Sequence, residues 1–400
     1  MMPLWCSDTR CTAATEAHVT QGLLSHRWLF RICVLTVLLT VLLIALIGVD
    51  ATPGLAQQDQ PGTGVSGTAG DSGGTLVTAE NVQVRRVKVN FFINSIHALN
   101  DEVGSYEVDF WLDLYWRDPA LDGKTVDEVD PATLWNPSVD ALNSTNLTQL
   151  YESYADSFEP DTNVYLSQRL VGTFTSAFDL RRFPFDQQRL EVQLESNEFD
   201  SNRLLFDFLG ADQEVIYAEQ PFTFPLPIGK YISPEFALPS WSITAADVVQ
   251  QIHVLPYDKS SWAQFRIEIQ VARSSRSYVL KIMLVFVLLM ILGATVFAIN
   301  LTELRYRLLS LFTLLLTAVI FDFTRLQVSP HAPYLTLLDL QALATYFTLG
   351  VAAGTVVLIA VQEKRAGRTQ AERLNLFVIS GYCLFVLVVN VGLGWYGIAG

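Results

Sequence analysis

The final third of the chain carries four apolar runs, Tyr278–Ile299, Leu308–Phe323, Leu337–Val361 and Leu374–Gly397. Three of them reach the roughly 20 residues that a helix needs to cross a bilayer. The second is shorter, is threaded with Ser310, Thr313 and Thr317, and has charge at both ends. Hydroxyls are disfavoured against lipid, so this helix is expected to face protein or water. Arg305 and Arg307 lie between the first two runs, and Lys364, Arg365, Arg368 and Arg373 between the last two. The excess of Lys and Arg in cytoplasmic loops puts both segments inside and the connection from Arg325 to Tyr334 outside. Two such short inner loops leave no room for an intracellular enzyme or signalling module.

With 50% hydrophobic and 16% charged residues, the chain is too apolar for an ordinary soluble protein. A further apolar run, Ile32–Val49, comes after Arg27 and Arg31 and ends in Thr52-Pro53-Gly54-Leu55-Ala56. It reads as a signal peptide over residues 1–56, with an uncleaved anchor as the alternative; either exports the domain downstream of it. Residues 57–78 are mostly Gly, Ser, Thr, Gln and Asp with almost no large apolar residue, a composition that cannot bury enough surface to fold. Cys6, Cys11 and Cys33 fall in the signal region and Cys383 in the last run, so the exported domain, residues 79–272, has neither disulfide nor Cys-type metal site. No other metal-ligand spacing appears. The chain's net charge is −14, yet Glu80 to Ala272 alone hold 30 acidic against 13 basic residues. Such a surface repels nucleic acid and concentrates cations.

Short alternating runs fill that domain. Val82–Phe91 and Tyr106–Trp116 alternate with period two, and Asn163–Leu170, Leu190–Leu194, Leu204–Phe208, Ser240–Val249 and Ala263–Val271 come after them. Asp118-Pro119, Asn136-Pro137 and Pro221–Pro227 punctuate them. Many short strands at this spacing predict an all-β, immunoglobulin-like sandwich, followed by an all-α four-helix transmembrane bundle over 273–400. A single amphipathic helix is expected near Glu80.

Several motifs resemble those of the pentameric ligand-gated ion channels, the Cys-loop receptor superfamily, and its bacterial branch most closely. Trp111-Leu112-Asp113-Leu114-Tyr115-Trp116-Arg117-Asp118-Pro119 is similar to the second-strand pattern ending in Trp-x-Asp. Leu134-Trp135-Asn136-Pro137 with Asn143 resembles the Trp-x-Pro segment before a binding loop, and Phe183-Pro184-Phe185-Asp186 the centre of the signature loop. Ser176 and Leu190 stand where the animal receptors place the loop cysteines. Arg307, Thr313 and Leu316 match the pore helix, and Pro333-Tyr334-Leu335-Thr336 with Asp339 the entry to the third helix. The first membrane helix lacks the proline that most relatives have.

The resemblance implies a homopentamer in a bacterial inner membrane with its N-terminal domain periplasmic, no cofactor, and inorganic ions passing along the second helix. By the family register Arg305, Leu309, Thr313, Leu316, Ile320 and Phe323 line the pore. The hydroxyls read by themselves (Ser310, Thr313, Thr317, Thr324) give a stripe rotated by about 60° at 100° per residue; these hydroxyls also have the alternative of simply bonding backbone inside a packed bundle. Charge rings set selectivity. Glu303, Arg305 and Arg307 crowd one mouth with mixed sign, and the acidic domain and Asp322 favour monovalent cations, with an anion-selective channel of the same fold as the alternative. The ligand site is implied between neighbouring sandwiches, with Trp111 on one face and Leu142, Asn143, Glu195, Phe199, Tyr257 and Trp262 on the other. The agonist is left open between a small molecule, such as an amine held by cation–π attraction, and protons acting through acidic clusters, His253 or His331. The aromatic cage is incomplete at Leu142, and strand packing is the plain alternative for Trp111 and Trp262. Coupling is assigned to Asp186, Arg273, Arg276, Pro330 and Tyr334, with Asp186 expected to pair with one arginine. No catalytic constellation appears. The competing class is a membrane-anchored, non-conducting binding or sensor protein.

Overall fold

The computed structural model describes residues 84–233, 238–327 and 329–398; the expected signal peptide, leader and helix near Glu80 lie outside them. The described chain divides into two compact units. One comprises 84–179 and Gln187–Arg273, the other Leu180–Asp186 and 274–398.

The first unit is a two-sheet sandwich. Six strands pair in the order β4 (Ser144–Asp156), β5 (Val164–Thr175), β2 (Ser105–Trp116), β1 (Arg85–Asn100), β7 (Leu204–Leu209), β8 (Val215–Ile216). Five pair in the order β3 (Val139–Ala141), β6 (Gln187–Ser196), β11 (Ser261–Arg273), β10 (Trp241–Val254), β9 (Phe222–Pro225). Period-two patterning explains the layers: in β2 every second residue from Tyr106 to Trp116 is buried and the residues between are half-buried. The Phe91 ring meets those of Phe208, Tyr231 and Phe265 at centroid distances of 6.4, 5.5 and 6.3 Å, closing the core between the sheets. Each such buried ring stabilises the fold by about 1.5–3 kcal/mol. β4 gives no alternating signal because it is a sheet edge with no buried residue along its length.

The second unit holds four helices long and apolar enough to cross a membrane: α1 (Arg276–Ala298), α2 (Leu304–Leu326), α3 (Leu337–Ala366) and α4 (Arg368–Ile398). Where α1 lacks proline, a π-helical turn at Val279–Met283 interrupts its register; such turns are a known cause of helix bending. Two sequence readings need correction. α2 is longer than its apolar run, because Arg307 and Arg325 at its ends are buried with partners rather than left in solvent. The expected basic loop between the last two helices is a single residue, Gly367 at φ 88°. Arg365 ends one helix and Arg368 starts the next. The surrounding Glu, Lys, Arg and Gln are good helix formers, and only glycine adopts that φ freely. α3 starts on a capping box between Thr336 and Asp339.

Candidate functional site

α2 has one packed face and one open face among the described residues. Leu311 and Ala318 are buried at 2% and 0% exposure, whereas Leu316 and Phe323 are 61% and 68% exposed. Leu309, Thr313 and Ile320 share the open side, so the family-register stripe is uncovered along its length. Of the alternative stripe, Thr313, Thr317 and Thr324 are exposed and Ser310 is half-buried. The threonine hydroxyls donate to the carbonyls of Leu309, Thr313 and Ile320 at 2.8, 2.8 and 3.1 Å. Back-bonding of this kind satisfies the donor and leaves oxygen lone pairs facing outward.

The charges at the ends of α2 are placed differently from expectation. Arg307 does not join the crowd at the mouth: at 1% exposure it donates to the Val296 carbonyl at 3.2 Å and to the Asn375 side-chain oxygen at 2.5 Å. Asn375 in turn donates to the Phe297 carbonyl at 3.0 Å. The arginine and Asn375 thus add donors to the last-turn carbonyls at the end of α1, where a cation is favoured. Arg305 stays exposed. At the other end Asp322 is no free carboxylate. It accepts from Arg325 at 2.8 Å and from the Tyr346 hydroxyl at 2.8 Å, while Arg325 also holds Asp339 at 2.8 Å.

The signature loop is closed without a disulfide. The Tyr106 hydroxyl donates to the Glu191 carbonyl at 2.7 Å and lies 2.7 Å from the Ser176 hydroxyl, linking the positions at and beside the missing cysteines. Burial pushes this phenol up to about 12. The loop's centre, with its cis Phe183–Pro184 bond, packs as part of the helical unit. Phe183 meets Tyr278 edge-on at 4.9 Å, and the Leu180 N–H donates to the Tyr334 hydroxyl at 2.9 Å. The Arg181 guanidinium stands 5.4 Å from the Tyr334 ring. Of the coupling candidates, Tyr334 therefore touches the loop, Asp186 is buried, Arg276 is exposed and Pro330 half-buried. Arg273, in the sandwich, pairs with Asp101 at 2.7 Å and covers Trp241.

The ligand-site candidates lie in the sandwich, and the strands bring some of them together. Buried Glu195 stands 3.0 Å from the His253 ring nitrogen, and His253 faces Trp262 across the β10–β11 ladder. Tyr257 projects at 81% exposure from the hairpin between those strands. Phe199 packs instead on Trp135 at 5.1 Å, under the Arg85 guanidinium. Asn143 is spent on backbone: its amide donates to the Thr175 and Glu191 carbonyls and accepts from Gln193 N–H. Leu142 beside it is exposed. Trp111 is no core residue. It stands half-buried on the outer side of β2, edge-on to Tyr151 at 5.5 Å and opposite Arg169. Sequence reading missed the rest of this face, Asp109, Asp113, Tyr165 and Arg169, because β4 and the β2–β5 register carry no local signal. Among the described residues no group of acidic, His and Cys side chains could hold a metal ion.

Residues 77–233 match the family profile described as neurotransmitter-gated ion-channel ligand binding domain. The chain is 32% identical over 140 residues to the glycine receptor subunit beta of Rattus norvegicus and of Homo sapiens, which covers 32% of this chain and 28% of each relative. It is 26% identical over 125 residues to a proton-gated ion channel of Gloeobacter violaceus, covering 30% of this chain and 34% of that one. The chain thus matches well under half the length of these relatives. By name the first two are receptor subunits and the third is an ion channel.

Proposed function

We propose that this protein is the subunit of a homopentameric ligand-gated ion channel, with α2 from five copies surrounding a water path and the sandwich exported to bind the agonist. The observation that carries this reading is the open face of α2. A helix otherwise packed on its neighbours presents Leu309, Thr313, Leu316, Ile320 and Phe323 to nothing among the described residues. Five such faces around an axis would form a pore in which rings of Leu316 and Ile320 stop ions by dewetting. The matched ligand-binding profile and the named relatives support the same reading.

Cation selectivity rests on the acidic sandwich and no longer on Asp322, whose charge Arg325 meets. The exposed Arg305 favours the second reading, an anion-selective channel of the same fold. The agonist is a periplasmic small molecule or protons, with Glu195, His253 and Trp262 as one half of its site. Coupling would pass from the signature loop, with buried Asp186, through Tyr334 and Pro330 into α2, with Arg273 and Arg276 as the arginines that serve it. The domain limits 79–272 and 273–400, a bacterial inner membrane and surrounding lipid belong to this proposal.

The test is purified protein in planar bilayers under asymmetric salt. Agonist-dependent steps with a cation-directed reversal potential are expected. Absence of current under pH, divalent-cation and amine screens, together with particles lacking fivefold symmetry, would leave the anchored, non-conducting binding protein standing. Cysteines placed singly along Arg305–Phe323 should react with aqueous thiol reagents at positions 305, 309, 313, 316, 320 and 323.

A further inference from the structure

Where β1 begins, the end of the sandwich core holds two buried N–H donors left unmet among the described residues. Trp116 closes β2 on its core side at 1% exposure, and its indole Nε1 has no hydrogen-bond partner. Arg85 opens β1, and its Nη1 is buried and equally without an acceptor. Lys88 pairs with Tyr115, so one step further along the ladder Trp116 stands opposite Val87, two residues from Arg85. Alternation puts Arg85, Val87 and Trp116 on one side of the sheet, and a long side chain reaches such a diagonal neighbour. Both meet the same indole. The Arg85 guanidinium lies 4.4 Å from the Trp135 ring centroid, and the Trp116 ring stands edge-on to Trp135 at 6.0 Å. The neighbouring carboxylates are engaged elsewhere: Asp118 accepts from the Ala120 and Trp135 backbone N–H groups, and Asp207 pairs with Arg86.

Buried donors are unfavourable unless an acceptor meets them, and a charged donor more so than a neutral one. We propose that Arg85 and Trp116 bind a small monovalent anion of halide size against Trp135, inside the end of the sandwich core. The site goes beyond the channel reading and does not depend on it. The guanidinium supplies charge and the indole N–H a directed donor, a combination that a halide satisfies because it accepts without donating. A water placed there also accepts from both. It must then find oxygens for its own hydrogens, and ring walls supply none. The acidic surface of the sandwich works against an anion, so binding is expected in the millimolar range.

The test is indole fluorescence of the full-length protein in detergent, with bromide replacing gluconate at constant ionic strength. Heavy halides quench the indoles they touch. Bromide at the site should quench a fraction of the emission that saturates in the millimolar range, and chloride should compete it away. Trp116→Phe keeps a ring and removes the N–H. It should weaken bromide at least about tenfold, with Trp135 still reporting. Arg85→Met should abolish the saturable fraction. Arg117→Gln, which removes an exposed surface charge, should leave the midpoint at the parent value. Purely linear quenching of the parent protein means collision alone and overturns the site, as does an unchanged midpoint in Trp116→Phe. If Trp116→Phe loses the parent near-ultraviolet circular dichroism, Arg85→Met decides, and an unchanged midpoint there overturns the site. None of these readings depends on whether the protein conducts.

Discussion

Both ends of α2 carry a buried arginine, and the two are held in opposite ways. Arg307 hydrogen-bonds to neutral acceptors, a backbone carbonyl and the Asn375 amide oxygen. Arg325 sits between Asp322 and Asp339, with side-chain exposures of 3%, 22% and 24%. The first arrangement resembles a helix cap supplied from a neighbouring helix; the second is an ion cluster tying α2 to α3. Neither arginine points to the open face. A charge near the end of α2 is thus no guide to whether it reaches that open face.

The largest effect is expected from Arg325→Met. It leaves two partly buried carboxylates facing each other, at a cost of about 3–5 kcal/mol. Thermal unfolding in detergent should show it, and adding Asp322→Asn and Asp339→Asn should recover much of the loss. Arg307→Met orphans only neutral acceptors and should cost about 1–3 kcal/mol. If the two variants lose equal stability, the contrast between the two ends fails. Leu316→Thr, on the open face, should leave unfolding unchanged while giving current without agonist, because a polar ring no longer dewets. Asp322→Asn should hardly move the reversal potential, whereas Arg305→Glu should move it toward cations. A large shift from Asp322→Asn would mean that the carboxylate faces ions after all. The smallest effect lies in the sandwich. The Asp109 carboxyl is depressed by Arg169, so its contribution is present above the ordinary aspartate value and lost as pH falls through the lower folded one. Arg169→Ala should therefore flatten the acid limb of the unfolding curve.

Much of this was readable from residues alone. Period two in Tyr106–Trp116 and four apolar runs, three of them of spanning length, gave a sandwich and four helices, and the structure has both. β4 stayed hidden because an edge strand exposed on both faces needs no apolar alternation. The basic segment after α3 looked like a loop because charge was read as a break, although those residues extend helices and only Gly367 turns the chain. Asn143 looked like a ligand contact, and its amide proved to be a backbone staple. Nothing local distinguishes those roles.

Hydrophobic periodicity and run length are properties of a few neighbouring residues, so the chain by itself settled its fold class, its candidate spans and the absence of cysteine from the sandwich. Partnership depends on residues far apart in sequence. Arg307 and Asn375 meet across 68 positions and Asp113 and Ser167 across 54. Only the folded arrangement could decide which charges meet an opposite charge, as Asp109 does, and which, like Asp113, meet neutral hydroxyls.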